Sequence, residues 1–257
     1  ILYSPDLSTV MGPFTPHDND EHEQLWTPVL LGDELVIEVQ LPERQIPNLE
    51  LHLKYVNHDY MGFGESVLSG SCNLDVICGA DDGWAIVDDY RDIIESVAMY
   101  ALNGTQACTG FLVNNANQDC TPYFMTAFHC GVSPGNASSL VAYWDYQNSF
   151  CRQPNTPQSG QNGNGNLNNF NFGSIYRAGY QNSDFILVEL DDPINNNPNA
   201  FFAGWSAEGI NTNTSIAIHH PNTEEKRISF ENQSTSLTTY FGNSPTSNYT
   251  HVRVADW

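Results

Sequence analysis

Apolar and polar residues alternate over much of the chain, which is the pattern of β-strands that bury one face. Strands are predicted at 97–102, 108–113, 122–128, 139–144, 174–179, 184–190, 200–205, 214–221, 226–231, 235–240 and 251–257. Loops rich in Asn, Gly and Pro separate these segments, and residues 88–98 fit one or two helical turns. Short strands at this spacing favour an all-β antiparallel barrel or sandwich.

The N-terminal part shows a weaker pattern. Residues 1–30 lack periodicity and are predicted to be an irregular arm, whereas the alternating runs 35–39 and 49–53 predict a small β unit with a turn at Pro42 and Pro47. The pattern-poor residues 61–70 are the expected boundary, so the predicted units are 1–68 and 69–257. The Asn/Gly tract 159–173 is predicted to be a long surface loop.

Composition narrows the classes of function. The 257 residues include 8 Lys and Arg against 30 Asp and Glu, a formal charge of −22, and no basic patch is present. This balance argues against a nucleic-acid partner. A hydrophobic fraction of 40% excludes a disordered chain. No apolar run approaches the 18 or so residues of a membrane span. The chain begins at Ile1 without a signal-like segment, so we expect a processed or fragmentary start.

All six cysteines lie between positions 72 and 151, without a CxxC pair. This spacing favours disulfides and an oxidising, secretory location over a zinc site, although fifteen pairings remain formally open. The segment HDNDEHE at 17–23 carries metal-ligand residue types, but a solvated acidic turn is the preferred interpretation. We therefore expect no metal and no cofactor.

The main chemical signal is CTGFLVNN (108–115) followed by YFMTAFHC (123–130). Cys108 and Cys130 are 22 residues apart, which allows a disulfide that ties the end of the second strand to the first. His129 adjoins Cys130, so its backbone would be held rigidly. A general base needs such positioning before its pKa matters, and His129 is accordingly the candidate base.

These segments resemble chymotrypsin-fold serine proteases, whose motif resembles C-[GST]-G-x-L-[IV] … T-A-x-H-C. The chain is most similar to the lysyl endopeptidase-like branch of secreted bacterial enzymes. The similarity includes SGSCNLDVIC (69–78), VAYWDYQNSFCR (141–152), SDFILVEL (183–190) and SIAIHHPNTEEKRIS (215–229). It implies a chymotrypsin-like double antiparallel β-barrel, with the second barrel incomplete in this chain, preceded by a pro-region or accessory unit.

The resemblance also implies residue roles. His129 matches the catalytic base and Asp184 the carboxylate that orients it. They are 55 residues apart, compared with about 45 in the chymotrypsin-type template. It implies the pairs Cys78–Cys151 and Cys108–Cys130, while Cys72 would pair with a cysteine after the nucleophile and Cys120 has no assigned partner. Tyr240 matches an aromatic position near the histidine, where ordinary barrel packing is the alternative.

The chain departs from the serine-protease pattern at the nucleophile. The template places its serine about 90 residues after the aspartate, beyond Trp257. No serine after Asp184 has a G-[DS]-S-G context; Ser206 lies in a strand-end segment, and Ser244 lacks the following glycine. We therefore expect the nucleophile to lie beyond this chain, on continuing sequence or on a companion fragment that completes the second barrel.

Two hypotheses result for the function. The first is a secreted serine endopeptidase that hydrolyses protein or peptide substrates after a basic residue, lysine or arginine, with residues 1–68 as the pro-segment of a zymogen or as an accessory domain. The second is a catalytically inactive protease-fold binding or structural module that retains His129 and Asp184 as relics.

Overall fold

The structure is a computed structural model that describes residues 1–18, 22–59, 70–194, 197, 199–208, 212–239 and 251–255. Regular structure in these ranges consists of antiparallel β-strands, 3-10 turns and one single-turn α-helix, α1 (Arg91–Ile94). None of the helices within these ranges is long and apolar enough to cross a membrane. The predicted all-β class is confirmed.

Three two-residue strands form a small sheet at the start of the chain. They are β1 (Leu2–Tyr3), β2 (Val10–Met11) and β3 (Val36–Ile37), and β1 lies between the other two. The predicted pairing of 35–39 with 49–53 is wrong, and part of the supposed arm forms strands instead. Glu43–Asn48 is a 3-10 helix, and 49–53 forms no strand. Its leucines are exposed, so this alternation of residues has no core to face.

The next strand along the chain, β4 (Leu74–Asp75), belongs to a sheet described below. The main sheet comes after it and has seven antiparallel strands. Its strands are β5 (Val97–Leu102), β6 (Gln106–Leu112), β7 (Tyr123–Thr126), β8 (Val141–Tyr143), β9 (Phe170–Phe172), β10 (Ser174–Tyr180) and β11 (Phe185–Leu190). Their order is β10-β11-β7-β6-β5-β8-β9. The sheet curls around a core that includes Tyr100, Phe124 and Trp144, as expected for a chymotrypsin-like barrel.

The segment VAMYAL (97–102), which forms strand β5, is apolar throughout and does not alternate. Every residue of the strand is buried, because both faces of the sheet are covered here. Tyr100 faces the barrel core, where its ring packs edge-on against Phe124 at 5.8 Å. Met99 and Ala101 belong to a second cluster with Tyr143. A continuous apolar strand is what burial on two faces requires.

The N-terminal segment covers that second face. Phe14, Trp26 and Val29 pack against the cluster of Met99, Ala101, Val141, Tyr143, Tyr146 and Phe172. The rings of Phe14 and Phe172 meet edge-on at 6.0 Å, and the backbone N–H of Val29 donates to the Tyr143 hydroxyl at 3.1 Å. Phe14, Trp26 and Val29 therefore pack against the barrel as part of its hydrophobic structure.

The C-terminal part contributes two smaller sheets. Its strands are β12 (Ser215–His219), β13 (Arg227–Glu231), β14 (Ser236–Thr238) and β15 (His251–Arg253). Strand β13 lies between β12 and β4, and β14 pairs with β15. The strand predicted at 200–205 is wrong: in the described structure this segment makes one isolated bridge, between Ala203 and Val113.

A buried ion-pair network joins β4 to β13. Arg152 is 0% exposed and donates from Nε and Nη2 to the two oxygens of Asp75, at 2.8 and 3.1 Å, and from Nη2 to Glu225 at 2.8 Å. Arg227 Nη1 lies 2.8 Å from Asp75 Oδ1, and Arg227 Nη2 lies 3.5 Å from Glu224. Buried charges persist only when they are paired. The network thus ties β4 to β13 within the sheet β12-β13-β4.

The Asn/Gly tract is more ordered than a surface loop. It begins in a 3-10 turn at Pro157–Gly160 and ends in strand β9. Between them, a Cβ at Gly163 would overlap the carboxylate of Glu225, and one at Gly165 would lie 2.7 Å from Cγ of Glu225. The backbone of the tract therefore packs directly onto the buried ion-pair network, where only glycine leaves room.

Candidate active site

The candidate site lies where two neighbouring strands end. Strands β7 and β11 pair antiparallel, with Thr126 opposite Ile186. His129 follows the end of β7 in a 3-10 turn, Phe128–Cys130, and Asp184 immediately precedes β11. Since the end of one antiparallel strand lies beside the start of its partner, the ladder brings these distant positions together.

One carboxylate holds His129 at two points. Asp184 Oδ2 lies 2.7 Å from the ring nitrogen Nδ1, and Asp184 Oδ1 accepts the backbone N–H of His129 at 2.9 Å. The side chain of Asp184 is 15% exposed, whereas that of His129 is 61% exposed. The aspartate is thus largely enclosed, while the imidazole faces the exterior.

The conformation of Asp184 makes this double contact possible. Its backbone lies in the left-handed region, at φ 51° and ψ 44°, between the 3-10 turn Gln181–Ser183 and β11. Asp is among the few non-glycine residues that adopt this conformation readily. The resemblance implies Asp184 as a partner for the ring but says nothing of its bond to the main chain, for which an Asp between a turn and a strand is the one signal in the sequence.

A disulfide fixes the other side of the histidine. Cys130 bonds to Cys108 on β6, with a Cα–Cα distance of 6.3 Å. Thr126 Oγ1 donates to the Thr109 carbonyl at 2.9 Å, which adds a side-chain link between β7 and β6. The turn that carries His129 is therefore tied to both neighbouring strands, β6 and β11.

This arrangement suits general-base chemistry. With Asp184 as acceptor, the proton of a neutral imidazole resides on Nδ1 and the lone pair of Nε2 is available. In the part of the chain that the structure describes, no hydrogen bond involves Nε2. Nε2 is therefore free to accept a proton from a reacting group.

The other cysteines and candidate ligands lie elsewhere. The second disulfide joins Cys78 and Cys151, so both bonds have the partners that the resemblance implied, and Cys72 and Cys120 are free, exposed thiols. The one metal-type cluster among the described residues consists of Cys78, Asp82 and Cys151. Its two sulfurs form the disulfide, which leaves no thiolate for a metal.

Of two further candidate features, segment 17–23 is described in part and Tyr240 is not among the described residues. In segment 17–23, residues 19–21 lie outside the described residues, and His22 Nε2 lies 3.8 Å from Asp191 Oδ2. Tyr240 also lies outside the described residues, so its predicted place near His129 stays a prediction.

Comparison with known proteins identifies the family. The family model described as "Lysyl endopeptidase, C-terminal domain" matches residues 66–257. The lysyl endopeptidase of Pseudomonas aeruginosa is 30% identical over an alignment of 254 positions that covers 90% of this chain and 50% of that protein. The chain thus spans about half the length of this curated relative. Among solved structures, the inactive form of the Rv3671c protease is similar with a TM-score of 0.35 and 14% identity, over 60% of this chain and 58% of that one. The family match covers most of the chain, from before β4 to the last residue, and the chain therefore belongs to the lysyl endopeptidase family.

Proposed function

We propose that this chain carries the base and the orienting carboxylate of a secreted serine endopeptidase. The observation that carries the proposal is the pairing of His129 Nδ1 with Asp184 Oδ2 at 2.7 Å, in a turn fixed by a disulfide. Membership of the lysyl endopeptidase family supports hydrolysis of peptide bonds, and the relative's name supports cleavage after a basic residue, with lysine favoured over arginine.

His129 would act twice in the reaction. Its Nε2 removes the hydroxyl proton of a serine as that oxygen attacks the peptide carbonyl, and the imidazolium then donates the proton to the leaving amine. Asp184 holds the ring in the required tautomer and stabilises the imidazolium. Because Asp184 also accepts the backbone N–H of His129, rotation of the ring and displacement of the turn are restrained together.

The serine is proposed to lie outside these 257 residues. No serine after Asp184 has glycine neighbours of the G-[DS]-S-G type, whose flexible backbone shapes an oxyanion hole. Such a serine would donate to Nε2, which lacks a hydrogen-bond partner in the described part of the chain. The same outside segment, or a companion fragment, would complete the second barrel.

Residues 1–68 are proposed as a pro-region or accessory unit that precedes the protease domain. The two disulfides support an extracellular location, since such bonds persist in oxidising compartments. In the described structure the segment packs on the outer face of β5, whereas His129 remains 61% exposed. The position of this segment therefore does not favour a role in covering His129.

The test is labelling of the full-length protein with a fluorophosphonate, combined with three variants. We expect wild type to label, His129→Ala to lose labelling, and Asp184→Asn to reduce kcat by about 10⁴-fold with little change in KM. Glu189→Gln is the matched control on β11; its carboxylate pairs with the exposed Arg177 at 2.7 Å, so activity should be kept. A folded wild-type protein that neither labels nor cleaves peptides would favour the inactive module instead.

A further inference from the structure

Three asparagines in the chain are followed directly by glycine: Asn103, Asn162 and Asn164. In such a pair, the main-chain nitrogen of the glycine can attack the side-chain amide of the asparagine, because glycine has no side chain to hinder the approach. The reaction needs a side-chain amide and a glycine N–H that are both free of other partners. The three pairs differ in this respect.

Asn103 is held in the tight turn between β5 and β6. Its backbone lies at φ 52°, and the N–H of Thr105 closes the turn by donating to the Leu102 carbonyl at 3.1 Å. Ser139 Oγ accepts the backbone N–H of Asn103 at 2.9 Å and lies 3.1 Å from its side-chain oxygen. Attack by the nitrogen of Gly104 therefore requires the turn to open.

Asn164 is held more firmly. Its Oδ1 accepts the backbone N–H of Ser149 at 2.9 Å, and its Nδ2 donates to Ser149 Oγ at 2.7 Å. The attacking nitrogen is engaged as well, because the N–H of Gly165 donates to Glu225 Oε1 at 3.3 Å. Both reacting groups of this pair must therefore break hydrogen bonds before they can meet.

Asn162 is the unprotected member of the three. It is exposed and belongs to no helix or strand, and within the described residues neither its side chain nor the N–H of Gly163 forms a hydrogen bond. The backbone on either side of it is anchored. The Gln161 carbonyl accepts from Arg152 Nη1 at 3.0 Å, and Gly163 lies directly against the Glu225 carboxylate. The free side chain thus sits between two contacts with the buried ion-pair network.

We propose that Asn162 is a site of spontaneous deamidation, and that its isoaspartyl product loosens the contact between the Asn/Gly tract and the buried network. The nitrogen of Gly163 attacks Cγ of Asn162 and loses its proton, the bond from Cγ to Nδ2 breaks, and ammonia leaves with that proton. One water then opens the five-membered imide at either carbonyl. The products are aspartate and isoaspartate at position 162.

The two products differ in their effect on the network. Aspartate keeps the length of the main chain and adds a negative charge at an exposed position. Isoaspartate inserts one methylene group into the main chain between Gln161 and Gly163. Because Arg152 holds the Gln161 carbonyl and Glu225 leaves no free space at Gly163, the longer chain must displace one of these contacts. The loss of stability is therefore assigned to isoaspartate.

The first experiment measures deamidation by peptide mapping and mass spectrometry after incubation at mildly alkaline pH. The full-length His129→Ala variant is used so that self-digestion does not interfere, and the same chain unfolded in urea is the reference. We expect folding to slow the reaction at Asn103 and Asn164 at least about tenfold, since their hydrogen bonds must break first, and to slow it less than about threefold at Asn162. Equal protection of all three asparagines would overturn the proposal.

Ser149→Ala is the matched control for the cause of protection. It removes the hydroxyl that accepts from Asn164 Nδ2 and makes no direct change at Asn162. We expect faster deamidation at Asn164 and an unchanged rate at Asn162. An equal rise at both positions would mean that the tract loosens as a whole, which contradicts the role given to the hydrogen bonds.

The second experiment tests the consequence for stability. Freshly purified Asn162→Asp should keep the Tm of the unaged protein, whereas aged protein enriched in isoaspartate at position 162 should unfold at least about 2 °C lower. Asn162→Gln, aged in parallel, should keep its Tm because its longer side chain does not form the five-membered imide. If the isoaspartyl form has the same Tm as Asn162→Asp, the link to the network is refuted, and the first experiment decides the modification site by itself.

Discussion

Replacement of Asp75 tests whether the buried ion-pair network holds the sheet β12-β13-β4 together. The carboxylate of Asp75 accepts two side-chain hydrogen bonds from Arg152, at 2.8 and 3.1 Å, and the Arg152 backbone N–H at 2.9 Å, and it lies 2.8 Å from Arg227 Nη1. In Asp75→Ala both guanidinium groups stay buried with one carboxylate partner fewer. Breaking a buried pair in this way costs about 3–5 kcal/mol.

The assay is urea unfolding of the full-length protein, followed by tryptophan fluorescence, together with a thermal scan. At about 2–4 °C per kcal/mol for a domain of this size, Asp75→Ala should lower Tm by about 6–20 °C. Glu189→Gln serves as the control, because an exposed ion pair contributes about 0–1 kcal/mol. If Asp75→Ala costs no more than Glu189→Gln, the idea that the network fixes β4 against β13 is refuted.

Three further predictions concern other parts of the fold. Cys108→Ser opens a loop of 22 residues and should cost about 3 kcal/mol in urea unfolding, an effect that an unchanged midpoint would contradict. Burial raises the pKa of Glu95 from 4.5 to about 7, so its contribution to stability is complete below pH 4.5 and is lost as the pH rises through 7. The free energy of unfolding of wild type relative to Glu95→Gln should therefore fall between pH 4.5 and pH 7. A difference that stays constant over this range would contradict the raised pKa. A Cβ at Gly110 would overlap the ring of Phe124, so Gly110→Ala should cost about 1–3 kcal/mol by overpacking, whereas Gly204→Ala, with open space around it, should be neutral; equal midpoints would disprove this.

The sequence predicts the barrel strands well because a dense run of apolar residues marks each of them. The runs at 97–102 and 184–190 are dense in apolar residues, and strands β5 and β11 lie there within a residue or two. The same reasoning fails at 49–53 and at 200–205, where apolar residues occur but no strand among the described residues supplies a ladder of hydrogen bonds. Composition predicts the tendency to form a strand, whereas pairing depends on distant residues.

The buried network could not be predicted from the sequence. Arg152 and Arg227 lie 75 positions apart and resemble solvated charges on two separate segments. Only the fold places them around one carboxylate, at the cost of removing both from water. A charged residue looks the same in the sequence whether it is exposed or paired in the interior.

The candidate site was predictable in its residues but not in its geometry. His129 is marked by the adjoining Cys130, and both His129 and Asp184 are implied by the resemblance to chymotrypsin-fold serine proteases. The second bond of Asp184, to the backbone of His129, depends on a left-handed residue whose φ of 51° no sequence pattern specifies.

The Asn/Gly tract 159–173 has an evolutionary consequence. Its repetitive composition suggests a segment that mutation could alter freely, yet two of its glycines lie against the carboxylate side chain of Glu225. Substitutions should be tolerated at exposed asparagines other than Asn164, whose side chain is hydrogen-bonded to Ser149. Gly163 and Gly165 should be retained for as long as Glu225 pairs with Arg152. In related chains, we expect these two glycines and the two charges to be kept or lost as a set, even where the rest of the tract changes in length and composition.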